Sequence, residues 1–318
     1  RSGNRLRGMR IVYFGSPRAA LPSLERLLEA GHRIELVITQ PDKPAGRGKA
    51  PTPPPVKEMA LRLGIPLLQP ERIRQDERVL KTLEKIAPDI IVVVAYGQII
   101  PSAIIDLPRH RSVNVHFSLL PKYRGAAPVQ WAILSGEKKT GVTVFELNEK
   151  MDEGDILSQL ETDIGPRETA RELEERLSGL GAGLLIDTLE KIDRLPHIRQ
   201  DQAQATLAPR LHKGQGKIDW RKDAVSIDRM VRAFSPWPGA FTSFRGQRII
   251  IHGGSPLTVP APPLDPGRVV EVRREGPVVC CGRDSAYLIE RLQRENRKEL
   301  AAADFLHGTR IEKGDCLG

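Results

Sequence analysis

Residues 90–95 read IIVVVA without a polar side chain, and this run limits the folds open to the chain. A strand with one face in water alternates apolar and polar residues, whereas a strand covered on both faces does not. The uninterrupted run therefore predicts a strand inside a parallel sheet with helices packed on both sides.

Strand-like and helix-like segments alternate around this run. Short apolar runs predict strands, and apolar residues at helical spacing predict helices. Strands are expected at 9–14, 34–39, 90–95, 112–117, 141–147 and 155–161, and helices at about 17–30, 57–64, 76–87 and 167–194. This order predicts an α/β fold with a doubly wound, mostly parallel Rossmann-like sheet over residues 9–195.

The character of the chain changes after residue 195. Residues 196–213 are polar and lose periodicity, which predicts a linker. Residues 214–318 hold short β-like runs between Gly and Pro turns, with one helix near 223–234. We expect a small antiparallel β-barrel there, similar to an OB-fold. Residues 1–8 are polar and precede Met9, and they are interpreted as a flexible leader or a misplaced start.

The net charge of +9 is unevenly distributed. Residues 11–195 carry 25 basic and 26 acidic residues, whereas residues 196–318 carry 20 basic and 14 acidic ones. A positive C-terminal third suits a polyanionic partner such as nucleic acid. An Arg-rich proteome would give the same excess, so both explanations stay open.

Composition argues against several classes of protein. The cysteines Cys280, Cys281 and Cys316 show neither a disulfide framework nor zinc-ligand spacing, which favours a reducing cytoplasm. No apolar run approaches the length of a membrane span, and no signal-peptide pattern opens the chain. Aromatic residues make up 4%, too few for a surface on which single-stranded nucleic acid stacks.

The run NVHFSLLP at 114–121 is the first candidate for a site. If residues 112–117 form a strand, Asn114 and His116 share one face, at the end where doubly wound sheets bind ligands. An amide donor beside an imidazole suits a reaction in which a carbonyl oxygen gains charge while a nucleophile loses a proton. A histidine that merely caps a turn is the alternative reading.

Asp152 is the second candidate, in the sequence MDEGD at 151–155. A carboxylate beside an imidazole raises its basicity and fixes its orientation, so Asp152 is a suitable partner for His116. Asp-x-Gly also builds ordinary turns, and this alternative stays open. The segment lacks the ladder of ligands that a calcium loop needs.

Two further loops carry groups suited to a ligand. Residues 40–49, QPDKPAGRGK, hold Lys43, Arg47 and Lys49, which are apt for phosphates or are simply solvated. The loop does not have the frame of a nucleotide-binding P-loop, and the turn at 15–17 is not a dinucleotide fingerprint. Residues 92–101, VVVAYGQIIP, leave a buried strand and either present backbone groups to a flat heterocycle or merely turn.

Taken together, these motifs resemble those of the folate-dependent formyltransferases. The resemblance rests on N-x-H-x-S-L-L-P-x-Y-R-G-A-A-P with D-x-G-D downstream, in the same order. The loop P-A-G-R-G-K, the segment VVVAYG and AFSPWPGA at 233–240 resemble the branch of this family that acts on methionyl-tRNA. The resemblance covers residues 9 to about 250, and the remainder more loosely.

The resemblance implies transfer of a formyl group from 10-formyltetrahydrofolate to the α-amine of methionyl initiator tRNA. Asn114 and His116 would donate to the oxyanion and Asp152 would orient His116, with no metal required. The implied folate contacts are Ser118, Leu119, Leu120, Pro121, the backbone of Tyr96 and Gly97, and Asp155. The cations Lys43, Arg47 and Lys49 would enter the acceptor stem while the basic barrel holds the tRNA backbone. The resemblance also suggests a monomer.

Two residues depart from the family pattern. Phe117 stands where a small residue is usual, and strand alternation predicts that it points away from the site. Arg18 replaces a usual acid after the first strand. Two rival functions are formyl transfer to a sugar-nucleotide amine and nucleic-acid binding without catalysis. The P-A-G-R-G-K loop argues against the first rival, and the intact catalytic motif argues against the second.

Overall fold

The computed structural model describes residues 8–45, 50–258 and 265–318. The chain folds into two compact units. The first unit runs to Pro128 and also contains Lys139–Asp163 and Glu174–Pro209. The second contains Val129–Lys138, Ile164–Leu173 and Arg210–Gly318.

The described residues form strands and helices in the following order. The strands up to residue 208 are β1 Arg10–Gly15, β2 Arg33–Ile38, β3 Lys43–Ala45, β4 Ala50–Thr52, β5 Leu67–Leu68, β6 Ile90–Val94, β7 Ser112–His116, β8 Arg124–Gly125, β9 Lys139–Glu146, β10 Ile156–Asp163 and β11 Leu207–Ala208. The later strands are β12 Ala240–Phe244, β13 Gln247–Thr258, β14 Val269–Val272, β15 Pro277–Cys281, β16 Ser285–Arg294 and β17 Leu300–Ala301. The helices are α1 Leu21–Glu29, α2 Pro55–Arg62, α3 Glu77–Ile86, α4 Ser102–Ile105, α5 Pro128–Ser135, α6 Ala170–Leu189, α7 Ala224–Ala233 and α8 Ala302–Gly308.

The first unit is built on a seven-stranded sheet in the order β10-β9-β7-β6-β1-β2-β5. Strands β5, β2, β1, β6 and β7 run parallel, and β9 and β10 form an edge in which β9 is antiparallel to both β7 and β10. All five residues of β6 are buried, as its apolar run predicts. The mostly parallel α/β fold is therefore confirmed. The chain order reverses between β1 and β6, where ligands bind in such sheets.

The polar stretch after α6 belongs to the first unit up to Pro209. Ile198 forms a bridge with Ile156, and β11 pairs in parallel with β8. Residues 196–209 of the predicted linker 196–213 are therefore packed within the first unit. The reason is that polar side chains here satisfy buried backbone groups, as Gln200 does while only 3% exposed.

The second unit holds a six-stranded antiparallel sheet in the order β12-β13-β16-β15-β14, with β17 added to β16. The final residues bond to both edges of this sheet. Leu317 N donates to Gly267 O at 2.7 Å beside β14, and Gly318 N donates to Ser243 O at 3.0 Å in β12. These bonds add to the pairing at the sheet edges, where Lys217 also forms a bridge with Phe241 of β12.

α7 begins at a capped end within this second unit. The Asp223 carboxylate accepts hydrogen bonds from the backbone N–H of Ser226 at 2.9 Å and from its hydroxyl at 2.8 Å. Such a cap satisfies a donor that the first helical turn leaves free. None of the helices in the described residues is both long and apolar enough to cross a membrane.

Candidate active site

β7 places Asn114 and His116 on one face of the sheet, as alternation predicts. On β9, Phe145 lies opposite Asn114 and Thr143 lies opposite His116. The His116 and Phe145 rings meet edge to face with centroids 6.4 Å apart. His116 is buried, whereas Asn114 is partly exposed, and its amide has no hydrogen-bond partner among the described residues. Asn114 therefore has a donor available for a ligand.

The two ring nitrogens of His116 have different surroundings. Nε2 lies 2.9 Å from the carbonyl oxygen of Tyr123, which can only accept, so Nε2 carries the proton. Nδ1 lies 3.9 Å from Oδ2 of Asp152, which is too far for a direct hydrogen bond. In the neutral ring Nδ1 carries no proton and can only accept a hydrogen bond. The ring and the Asp152 carboxylate attract each other only after Nδ1 has been protonated.

Asp152 is held by its own backbone and by the segment opposite. Its φ of 54° lies in the left-handed region, which turns the chain sharply. Its Oδ2 accepts a hydrogen bond from the backbone N–H of Gly125 at 2.8 Å. The structure thus brings Asp152 to His116, and a 14% exposed side chain leaves the carboxylate partly desolvated.

The turn at 118–121 uses its polar groups internally. The Ser118 hydroxyl donates to the carbonyl of Lys122 at 2.7 Å. The Thr143 hydroxyl donates to the Ser118 carbonyl at 2.7 Å and accepts from the Leu120 N–H at 3.1 Å. Gln159 Nε2 donates to the Leu120 carbonyl at 2.8 Å. The polar groups of Ser118 and Leu120 are therefore satisfied within the protein, and both side chains are buried.

The apolar part of this turn joins a small cluster. Leu120 packs with Phe145 and Ile156, and the Leu120–Pro121 peptide is cis. Leu119 is partly buried, and it lies over Gly141, where an added Cβ would come within 2.5 Å of its side chain. The four predicted turn residues, at 118–121, follow His116 by two to five positions in the chain.

Tyr96 and Gly97 follow β6, and Tyr96 is buried whereas Gly97 is exposed. The Tyr96 ring packs edge to face on Phe14 with centroids 5.1 Å apart. Its hydroxyl is buried and has no hydrogen-bond partner among the residues that the structure describes, and burial raises the pKa of the phenol. Gly97 is exposed with a φ of 83°. The Tyr96 carbonyl already accepts a hydrogen bond from Gln40 Nε2 at 3.1 Å, so the exposed main chain of Gly97 is what this pair presents to a ligand. The predicted backbone contact with folate stays a prediction.

Asp155 closes the loop that carries Asp152. Its carbonyl accepts a hydrogen bond from the N–H of Glu146 at 2.9 Å, and its side chain is partly exposed. Gly154 next to it packs tightly, since an added Cβ would lie 1.6 Å from the Glu146 carbonyl oxygen. The loop between β9 and β10 is therefore closely fitted to the sheet.

Phe117 points away from His116. An added Cβ at Gly181 in α6 would lie 3.6 Å from the Phe117 ring, 2.9 Å from Val115 and 3.1 Å from Val142. Phe117 thus packs beneath α6 with the residues of the opposite sheet face, as alternation predicts. Arg18 is exposed, and nothing in the structure explains its presence.

The basic loop begins and ends in a two-stranded ribbon. β3 and β4 pair antiparallel, with Lys43 opposite Thr52, and Lys43 is exposed. The other two predicted cations, Arg47 and Lys49, lie outside the described residues.

A polar network fixes the start of this ribbon. Lys57 Nζ donates to both carboxylate oxygens of Asp42, at 2.8 and 2.7 Å, and Gln69 Nε2 donates to one of them at 2.9 Å. The Lys57 and Gln69 bonds hold the pKa of the Asp42 carboxyl below its usual range. Asp42 is therefore ionised at neutral pH, and its bonds to Lys57 and Gln69 hold the chain in place just before β3.

The sequence did not reveal the residues that support the predicted site. The Tyr123 carbonyl bonds His116, and the Gly125 N–H bonds Asp152. In the sequence, the Y-R-G turn that contains both residues was the only sign of these contacts. Thr143 and Gln159 hold the 118–121 turn from β9 and β10. Neither carries a local signal. Among the residues that the structure describes, no three His, Cys, Asp or Glu side chains gather as metal ligands would.

Comparison with known proteins assigns the family. Residues 9–189 match the family described as formyl transferase, and residues 210–310 match the formyl transferase C-terminal domain. A methionyl-tRNA formyltransferase of Geobacter metallireducens is 44% identical over 313 residues, covering 98% of this chain and 99% of its own. The chain belongs to the formyl transferase family.

Solved structures agree with the fold of this family member. A methionyl-tRNA formyltransferase from Clostridium thermocellum has a TM-score of 0.56 at 21% identity, over 78% of this chain and 93% of that one. HypX from Aquifex aeolicus in complex with tetrahydrofolic acid has a TM-score of 0.63 at 18% identity. That match covers 98% of this chain and 50% of HypX. At such identities the likeness concerns the fold alone.

Proposed function

We propose that this chain transfers the formyl group of 10-formyltetrahydrofolate to the α-amino group of methionyl initiator tRNA, in translation initiation. The observation that carries the proposal is the site at the end of β7. Asn114 has a free amide there, among the described residues, on the face shared with His116, whose Nδ1 faces Asp152 across 3.9 Å. The 44% identical relative named methionyl-tRNA formyltransferase supports the choice of acceptor.

The amide of Asn114 serves the developing oxyanion. When a neutral amine attacks the formyl carbon, the carbonyl oxygen gains negative charge, and a preorganised donor stabilises it. Asn114 is held on a strand and has no competing hydrogen bond within the described residues, so it needs no rearrangement before it donates.

His116 handles the proton. Because Nε2 already donates to Tyr123, only Nδ1 can accept the proton that the attacking amine loses. The resulting imidazolium lies beside the Asp152 carboxylate, which stabilises its charge. Nδ1–H then donates to the oxyanion and finally returns the proton to the folate nitrogen as its bond to the formyl carbon breaks. The amine thus loses one proton and the departing folate nitrogen gains one.

The described residues fit a flat, polar-edged heterocycle. The exposed main chain at Gly97 would supply hydrogen bonds, and the partly exposed side chain of Leu119 would supply apolar contact, backed by the buried cluster of Leu120, Phe145 and Ile156. The bound folate supplies an activated formyl group. We infer that the predicted contacts at Leu119, Pro121 and Asp155 lie along the same ligand.

The ribbon and the basic second unit are assigned to the tRNA. Lys43 is exposed at the start of the ribbon, where it would meet a phosphate of the acceptor stem. We extend this role to Arg47 and Lys49. The excess of basic residues beyond residue 195 would hold the tRNA backbone, and such binding weakens with added salt. A cytoplasmic monomer stays a prediction.

An acceptor comparison tests this proposal. The protein is mixed with 10-formyltetrahydrofolate and with charged initiator tRNA, uncharged tRNA, free methionine or a sugar-nucleotide amine in separate reactions. We expect formylation of the charged tRNA alone, because the basic ribbon and second unit act only on an acceptor that carries the tRNA. Formylation of free methionine or of the sugar amine at a comparable kcat/KM contradicts the proposal.

A further inference from the structure

We propose that Gln200 is a positioning residue, which holds the Asp152–Gly154 loop so that the Asp152 carboxylate faces His116. The inference rests on the proposed catalytic role of Asp152. Gln200 belongs to the polar stretch after α6, 48 residues beyond Asp152 in the chain. A segment that its composition marks as a linker thus reaches the site.

Gln200 is buried and uses all its hydrogen-bonding groups. Its Oε1 accepts from Nε and Nη2 of Arg124, at 3.0 and 2.7 Å. Its Nε2 donates to the carbonyl oxygens of Asp152 and Gly154, at 2.9 and 2.7 Å. A guanidinium only donates and a carbonyl only accepts, so one orientation of the amide satisfies all four bonds. Gln200 is therefore a fixed bridge between Arg124 and the loop.

Arg124, which holds the Oε1 end of Gln200, is itself fixed in position. The residue is only 4% exposed, and a buried charge is stable only when its donors are satisfied. Besides Gln200, its Nη1 donates to Gln202 Oε1 at 2.9 Å and lies 3.5 Å from Oε1 of Glu153. The guanidinium therefore cannot turn without losing several charge-assisted bonds.

The neighbours of Arg124 touch both proposed catalytic groups. The carbonyl of Tyr123 accepts from His116, and the N–H of Gly125 donates to Asp152. Gln200 ties the loop that carries Asp152 to the residue between these two contacts. If that tie is lost, the Asp152 carboxylate shifts relative to Nδ1 of His116, and a shift near 1 Å costs on the order of 100-fold in rate.

The substitution Gln200→Glu separates the two ends of the bridge. Glutamate keeps an acceptor for Arg124 but loses both N–H donors to the loop carbonyls. We expect kcat to fall on the order of 10- to 100-fold, with KM for both substrates within about twofold, because the bound substrates are not touched. The matched control is Gln204→Glu in the same segment, where Gln204 is exposed and bonds Asp201. Its kcat is expected to stay near the wild-type value.

A double-mutant cycle distinguishes positioning from general damage. Single-turnover rates are measured for Gln200→Glu, Asp152→Asn and the double variant, with enzyme in excess. If Gln200 acts through Asp152, adding Gln200→Glu to Asp152→Asn lowers the rate by less than about twofold. Multiplicative losses overturn the inference. If the wild-type protein does not formylate charged tRNA, the proposed function is wrong. If the wild-type protein is active and the rate losses of the two substitutions multiply, only the role of Gln200 is rejected.

A folding control completes the test. Thermal unfolding is measured for Gln200→Glu and for Gln200→Ala, which removes both ends of the bridge. Rates are compared only at temperatures where the variants are folded. If both variants are unfolded under assay conditions, Gln200 acts as a stability residue and the positioning role is rejected.

Discussion

At the scale of single residues, His116 has only one nitrogen left for chemistry. Nε2 donates to the Tyr123 carbonyl, so any donation to an oxyanion must come from Nδ1 after that atom has taken a proton. The sequence placed His116 beside Asn114 by strand alternation alone. It could not tell which nitrogen is free, because the partner is a backbone carbonyl seven residues away, in a turn.

Tyr96 leads to a prediction about stability. Its hydroxyl is buried without a hydrogen-bond partner among the described residues, so the folded state carries an uncompensated desolvation cost. Tyr96→Phe removes this hydroxyl and keeps the ring against Phe14. We expect the free energy of unfolding to rise by about 1 kcal/mol, as measured by urea denaturation.

Tyr13 is the matched control for this substitution. It is also fully buried, but its hydroxyl donates to the carbonyl of Ala20 at 2.5 Å. Tyr13→Phe leaves that carbonyl without its partner, and we expect a loss of about 1–2 kcal/mol. A similar destabilisation by Tyr96→Phe would show that the Tyr96 hydroxyl has a partner after all.

At the scale of elements, the loop between β9 and β10 shows how backbone fit sets the site. A side chain at Gly154 would clash with the Glu146 carbonyl, and the clash is with backbone, which cannot swing aside. Gly154→Ala must therefore displace the loop that carries Asp152. We expect a loss of at least about 2 kcal/mol in the free energy of unfolding and a large fall in kcat.

The control for Gly154→Ala lies in α6. A Cβ at Gly183 would meet no heavy atom within 4 Å, so Gly183→Ala fits without strain. Alanine is the better helix former by roughly 0.5–1 kcal/mol, and this variant is expected to gain stability and keep its activity. Equal stability of the two variants would mean that the loop tolerates displacement.

The long periodic elements were predictable, and the short paired ones were not. The buried run at 90–94 and the strands β9 and β10 followed from apolar patterning, because burial of one or both strand faces affects the choice of residue at each position. The β8–β11 pair joins residues 124–125 with 207–208, and two-residue strands carry no periodicity. Their pairing is fixed by tertiary contacts such as the Tyr123 N–H to Thr206 hydroxyl bond of 2.8 Å.

At the scale of the whole molecule, the net charge and the pattern of secondary structure both change near residue 195. Residues 11–195 are nearly neutral, whereas residues 196–318 carry 20 basic and 14 acidic residues. A change from alternating strands and helices to short strands predicted the second sheet. The bonds by which residues 317 and 318 cover its edges could not be predicted, because they join segments far apart in the sequence.

We propose that formyl transfer to charged tRNA takes place at the Asn114–His116–Asp152 site. The most direct measurement determines, on the same samples, the single-turnover formylation rate and the dissociation constant for initiator tRNA in Asn114→Ala and His116→Ala. Lys43→Ala serves as the converse control, expected to weaken tRNA binding while leaving the rate at saturating tRNA unchanged. For the two site variants we predict rates about 100- to 1000-fold lower, with the dissociation constant within about twofold of wild type. Rates within about tenfold of wild type, or tRNA binding lost in step with the rate, would contradict the account.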